Sequence, residues 1–174
     1  MLKKYKNKTI KFMAFILMTV MLFTNIAGVH AATVFRSYNY SGTAASWGGK
    51  YTKMDYLEGI SSNYVKVVVN TSGGDKFDLR LMYTYDWLSN RKILAEKKGL
   101  VAKGNSYTIY FIPQNGTCPS SNSNDCVKVP VVSQISDSSN VVSFYDVLYG
   151  IEIYNGSIFG GTVSISGTYS FINY

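Results

Sequence analysis

The sequence predicts an all-β fold: an antiparallel two-sheet β-sandwich, with a jelly-roll arrangement as one form of it and a small closed β-barrel as the alternative. Two observations predict it. Apolar and polar residues alternate with period two over several segments, which sets one side of each segment against a core. Gly and Asn turn signals separate these segments, and no apolar pattern of helical period runs longer than about ten residues. A sheet with one apolar face must cover it with another, so about seven to nine such strands pack as a sandwich or close as a barrel.

The segments follow in order. Thr33 to Tyr40 and Lys50 to Asp55 read as strands at a sheet edge. From Asn63 to Asn70, Val65, Val67 and Val69 share one side, and Ser72-Gly73-Gly74-Asp75 then turns the chain. The next segment alternates furthest, with Phe77, Leu79, Leu81, Tyr83, Tyr85 and Trp87 on one face. Ile93 to Lys97 is a shorter strand ended by Lys98-Gly99, and Ser106 to Ile112 is another, stopped by Pro113 and Asn115-Gly116. Val127 to Ser133 contains Pro130, which favours an edge. Val141 to Tyr154 follows with a bend expected at Gly150, Asn155-Gly156 signals a hairpin, and Gly161 to Ile172 closes the fold.

Residues 1–31 read as a secretory signal peptide. Lys3, Lys4, Lys6, Lys8 and Lys11 form a basic start, an apolar run from Phe12 to Phe23 follows, and Val29-His30-Ala31 offers small residues for cleavage between Ala31 and Ala32. Thr24 and Asn25 interrupt the apolar run short of the about 20 residues that a spanning helix needs. The expectation is therefore a single secreted, extracellular domain over 32–174, with no stable membrane anchor after cleavage.

Cleavage changes the chemistry available. Of 17 Lys and Arg, five leave with the leader, so 12 face 10 Asp and Glu and the net charge falls from +7 to +2. The basic character is then a targeting signal, and a nucleic-acid partner is not expected. The one histidine, His30, leaves too, which removes Ser-His-Asp and Cys-His catalysis and histidine metal centres. No cofactor or metal is expected. Cys118 and Cys126 suit a disulfide closing a polar loop in an exported protein.

What remains for binding is aromatic and polar. Tyr83, Tyr85 and Trp87 recur at about 6.6 Å along one strand face, a spacing that suits successive sugar units, although the same parity continues the core positions Phe77, Leu79 and Leu81. Trp47, in a Gly-rich segment, forms a second candidate surface with Tyr51 and Tyr56, and equally suits a cap on the open end of a core. Arg91, Lys92, Lys97, Lys98 and Lys103 concentrate positive charge that either meets an anionic polymer or protects an edge strand.

Catalysis is left to carboxylates, and a glycosidase needs two of them about 5 to 9.5 Å apart. Asp146 and Glu152 would lie about 20 Å apart on a straight strand, and Glu58 with Asp86 would need a cross-strand meeting. Asp75 and Asp78 offer oxygen to calcium, without EF-hand spacing. Asn39, Asn70, Asn115 and Asn155 each begin a glycosylation sequon. These readings point to a secreted, non-enzymatic binding or surface-associated module for an extracellular glycan, cell-wall polymer or protein. The alternative is a secreted antagonist, either a bacteriocin-like effector or an inhibitor of an extracellular enzyme.

Overall fold

The computed structural model describes residues 32–86, 90–138 and 140–173. The expected signal peptide, including Ala31, lies outside the described residues, as does Trp87. Twelve strands appear among the described residues: β1 (Thr33–Ala44), β2 (Gly49–Leu57), β3 (Ile60–Ser62), β4 (Tyr64–Ser72), β5 (Lys76–Thr84), β6 (Lys92–Val101), β7 (Ser106–Pro113), β8 (Cys126–Val129), β9 (Ile135–Ser138), β10 (Val141–Phe144), β11 (Val147–Asn155) and β12 (Val163–Asn173).

They form a five-stranded sheet in the order β1-β12-β4-β7-β8, a four-stranded sheet β2-β11-β5-β6, and a small sheet β3-β10-β9. The two larger sheets end in open edges, so the sandwich is confirmed and there is no closed barrel. β1 and β2 are edge strands, as their sequence suggests. The third sheet is unforeseen, and β8 runs parallel to β7 where antiparallel pairing was expected.

Alternation built the core as predicted. Val65, Val67 and Val69 of β4 and Phe77, Leu79 and Leu81 of β5 are buried, facing one another's sheets with Ile109, Phe111, Ile151 and Ile153. Phe144, Tyr149, Tyr169 and Phe171 add an aromatic cluster whose edge-to-face contacts span 4.7–5.7 Å, a geometry that ring quadrupoles favour.

Three local expectations are corrected. Lys98-Gly99 is not a turn: β6 runs through it, absorbing the extra residue as a bulge opposite Phe77 and Leu79, with Gly99 at φ +67°. The chain turns instead at 102–105, where Lys103 and Gly104 both have positive φ. Gly150 does not bend its strand. β11 is continuous, the break falls at Tyr145-Asp146, and Gly150 lets the Lys53 backbone approach where a Cβ would collide. Asn155-Gly156 does not close a hairpin, because β11 and β12 belong to different sheets and the segment crosses between them.

The Cys118–Cys126 disulfide is present, with its Cα atoms 5.9 Å apart. Both cysteines pack on a satellite cluster of Tyr64, Ile112 and Ile172 outside the main core. The loop is ordered by its own side chains: Ser120 Oγ donates to Asp125 Oδ2 at 2.8 Å, and Asn122 Oδ1 accepts from the Asn124 amide at 3.1 Å.

Candidate functional site

Four connections meet at one end of the sandwich. The β1–β2 turn is joined to the β11–β12 crossing by two backbone bonds, from the Trp47 amide to the Ser157 carbonyl at 2.9 Å and from the Gly48 amide to the Asn155 carbonyl at 2.8 Å. The β6–β7 turn joins the β4–β5 turn, with the Ala102 amide donating to the Asp75 carbonyl at 2.8 Å. Gly74, at φ +66°, lies against Val163 so closely that a Cβ would displace it, which ties the β4–β5 turn to the start of β12.

Asn155 pins this assembly. It is fully buried; its amide nitrogen donates to the Ala44 carbonyl at 3.1 Å and the Gly161 carbonyl at 2.8 Å, and its oxygen accepts from the Ser157 amide at 3.2 Å. Its sequon is therefore inaccessible in the folded chain. Trp47 sits at φ +67°, a left-handed conformation that costs an L-residue roughly 1–2 kcal/mol. The bonds to the crossing hold it there.

The consequence is an uncovered apolar tip. Trp47 is 72% exposed, Ile158 51% and Phe159 91%. The indole and the Phe159 ring meet edge to face, centroids 6.0 Å apart at 77°. Sequence reasoning found Trp47 and missed Ile158 and Phe159. Their signal was an apolar pair inside the otherwise small and polar run Ser157 to Thr162, too short for strand or helix period.

Beside the tip lies a concavity of about 550 Å³ lined by Asp75, Asp78, Lys103, Val101, Gly156 and Ser157 among others. Its two acids are already engaged. Lys103 Nζ lies 2.8 Å from Asp75 Oδ1, and its hydrogen bond and charge hold that carboxyl below the usual range. Asp78 Oδ1 accepts from the Gly99 amide at 2.8 Å. Among the described residues, no group of three or more His, Cys, Asp or Glu side chains is placed to hold a metal ion.

The remaining aromatic candidates disperse. Tyr83 is buried, continuing the core parity of β5, whose regular pairing ends at Thr84. Tyr85, just beyond, is partly exposed, contacts Tyr83 edge to face at 5.6 Å, and shares a hydrogen bond with Ser133. Tyr51 is half-buried against Tyr40 and Gly42, inside the edge of the sandwich. Tyr56 is exposed near the opposite end of β2, where its hydroxyl donates to Asp146 Oδ1 at 3.3 Å. Partial desolvation and then the Asp146 and Glu58 carboxylates raise the Tyr56 phenol.

The basic residues also separate. Arg91 and Lys92 are exposed at the start of β6, which is an edge strand. Lys97 donates to the Asn124 carbonyl, whereas Lys98, on the other face, lies 3.2 Å from Glu96. Lys103 belongs to the loop end.

A polar ladder that the sequence did not disclose crosses the outer face of the four-stranded sheet. Thr52 of β2, Glu152 of β11, Arg80 of β5 and Glu96 of β6 are successive neighbours. Arg80 donates from Nε to Glu96 and from Nη1 to Glu152 at 2.9 Å, while Thr52 donates to Glu152 at 3.3 Å. The guanidinium also lies 4.1 Å from the Tyr154 ring centroid. Burial alone would raise the Glu96 carboxyl, but bonds from Arg80 and Lys98 outweigh it and hold Glu96 below its usual range. A glycosidase acid needs the opposite shift.

Comparisons add little to this geometry. No family model matches the chain, and no curated protein matches it. A solved structure described as the crystal structure of PirA is similar at 12% identity and a TM-score of 0.41, over 80% of this chain and 99% of that one, a likeness too distant to carry an argument.

Proposed function

We propose that this chain is an exported, non-enzymatic binding module that attaches to an extracellular surface through the loop end of its sandwich. The observation that carries the reading is the Trp47–Ile158–Phe159 cluster, exposed on two loops that are bonded to each other and anchored by a buried asparagine. Rigid loops on a β-scaffold present contact residues with little ordering cost on binding. The charge balance of the chain after the leader and the engagement of Glu96 and Asp75 by cations favour adhesion over turnover.

Retention on isolated cell envelopes, cell-wall polymers and extracellular polysaccharides tests the reading. The unaltered protein should be retained on at least one, and Phe159→Ser should release it while leaving its unfolding midpoint in place. Retention that survives both Phe159→Ser and Trp47→Ser would move the contact elsewhere and end the proposal for the loop end.

A further inference from the structure

We infer that the partner of the loop end is the interfacial layer of an anionic lipid bilayer, into which Trp47, Ile158 and Phe159 insert; this rests on the reading of that end as the binding surface. The shape of the tip separates it from a sugar platform. Trp47 and Phe159 stand edge to face at 77°, so their rings do not form one shared flat platform for successive sugar units, and Ile158 offers no π-surface. A tip that projects from two loops needs a partner that yields around it, and lipid does so.

The chemistry agrees. The tip segments 45–48 and 156–162 contain no ionisable side chain. Trp is the side chain best suited to the boundary between headgroup and acyl chain. Behind the tip, Lys50 follows at the start of β2 and Lys76 and Lys103 line the adjoining concavity. The acids in that collar are Asp75, which Lys103 pairs, and Asp78, which the Gly99 amide binds. Three lysines against two carboxylates leave this collar a net charge of +1, and a neutral apolar tip over a weakly cationic collar complements anionic headgroups at shallow depth. Among the described residues no helix is long and apolar enough to cross a membrane.

The test uses protein expressed from the full sequence in a secreting host and recovered from the medium, its N-terminus read by mass spectrometry. Trp87→Phe leaves Trp47 as the one indole of the 32–174 region. With vesicles of phosphatidylcholine and phosphatidylglycerol, Trp47 emission should shift to the blue and be quenched by lipids brominated near the headgroup. Phe159→Ser should weaken partitioning about tenfold, and removing the anionic lipid should weaken it further. Trp47 emission that ignores vesicles at low salt overturns the lipid assignment. If the same protein is still held by a polysaccharide or envelope protein through Phe159, the loop end remains the binding surface and only its lipid partner is refuted. Partitioning that Phe159→Ser leaves unchanged overturns the assignment as well.

Discussion

Asn155→Ala should be the most damaging single polar substitution at the loop end, because it removes three hydrogen bonds from a side chain with no exposed surface. Each bond contributes about 1 kcal/mol net, and a buried carbonyl left unpaired costs a further 1–3 kcal/mol. The Gly161 carbonyl lies partly open to water and recovers some of that, whereas the Ala44 carbonyl is in a buried pair. The sum is about 4–6 kcal/mol, read as a lowered urea midpoint at unchanged slope. Asn155→Asp refines the test. It keeps the acceptor for the Ser157 amide but turns a carboxylate oxygen toward the Ala44 and Gly161 carbonyls, so it should cost more than alanine despite its closer shape. An alanine variant within about 0.5 kcal/mol of the unaltered protein, or an aspartate variant more stable than the alanine one, would refute the idea that this side chain pins the loops.

Other consequences are measurable with the same denaturation assay. Trp47→Gly should hold stability constant or raise it by up to about 1 kcal/mol, since glycine adopts φ +67° without strain, while surface attachment is lost. Arg80→Ala should cost about 3–5 kcal/mol by stranding the Glu152 and Glu96 carboxylates, and Arg80→Lys should recover only part of it because an ammonium lacks the two-pronged geometry. Glu96 has its folded pKa below the ordinary 4.5, so its contribution is complete above that value and disappears as pH falls through the folded pKa; acid titration of the midpoint should show a loss that Glu96→Gln flattens. Replacing Cys118 and Cys126 by serine should cost about 2.5 kcal/mol from the released loop, with attachment unchanged because that loop follows the other end of β7.

The strands whose pattern is local were the legible ones. Val65, Val67 and Val69 and then Phe77, Leu79 and Leu81 alternate without interruption, and period two alone fixes which face each presents. The same parity correctly offered Tyr83 as core. Pairing was not legible. Asn-Gly reads identically whether the next strand returns alongside or crosses to the other sheet, and here it crosses while Asn155 spends its side chain joining loops. Likewise the ladder on Arg80 exists only because β11 inserts beside β5, bringing Glu152 across 72 residues of chain. Lys98-Gly99 misled for a different reason, since a bulge and a turn both ask for glycine in a left-handed conformation.

That leaves the tip itself, where local physics and stability disagree. Burying a Phe or Ile side chain stabilises a fold by about 1.5–3 kcal/mol, and the loop end forgoes this at Ile158 and Phe159 while also holding Trp47 in a left-handed conformation. Directly beneath, Ala44 and Val163 are fully buried, so the core closes without needing these three side chains as a lid. Loops that merely connected β1 to β2 and β11 to β12 would be served by polar residues and would not require a buried asparagine to fix them. A rigid, uncharged aromatic projection that lies outside the core clusters leaves apolar surface open to water, and the proposed attachment through the loop end would cover it.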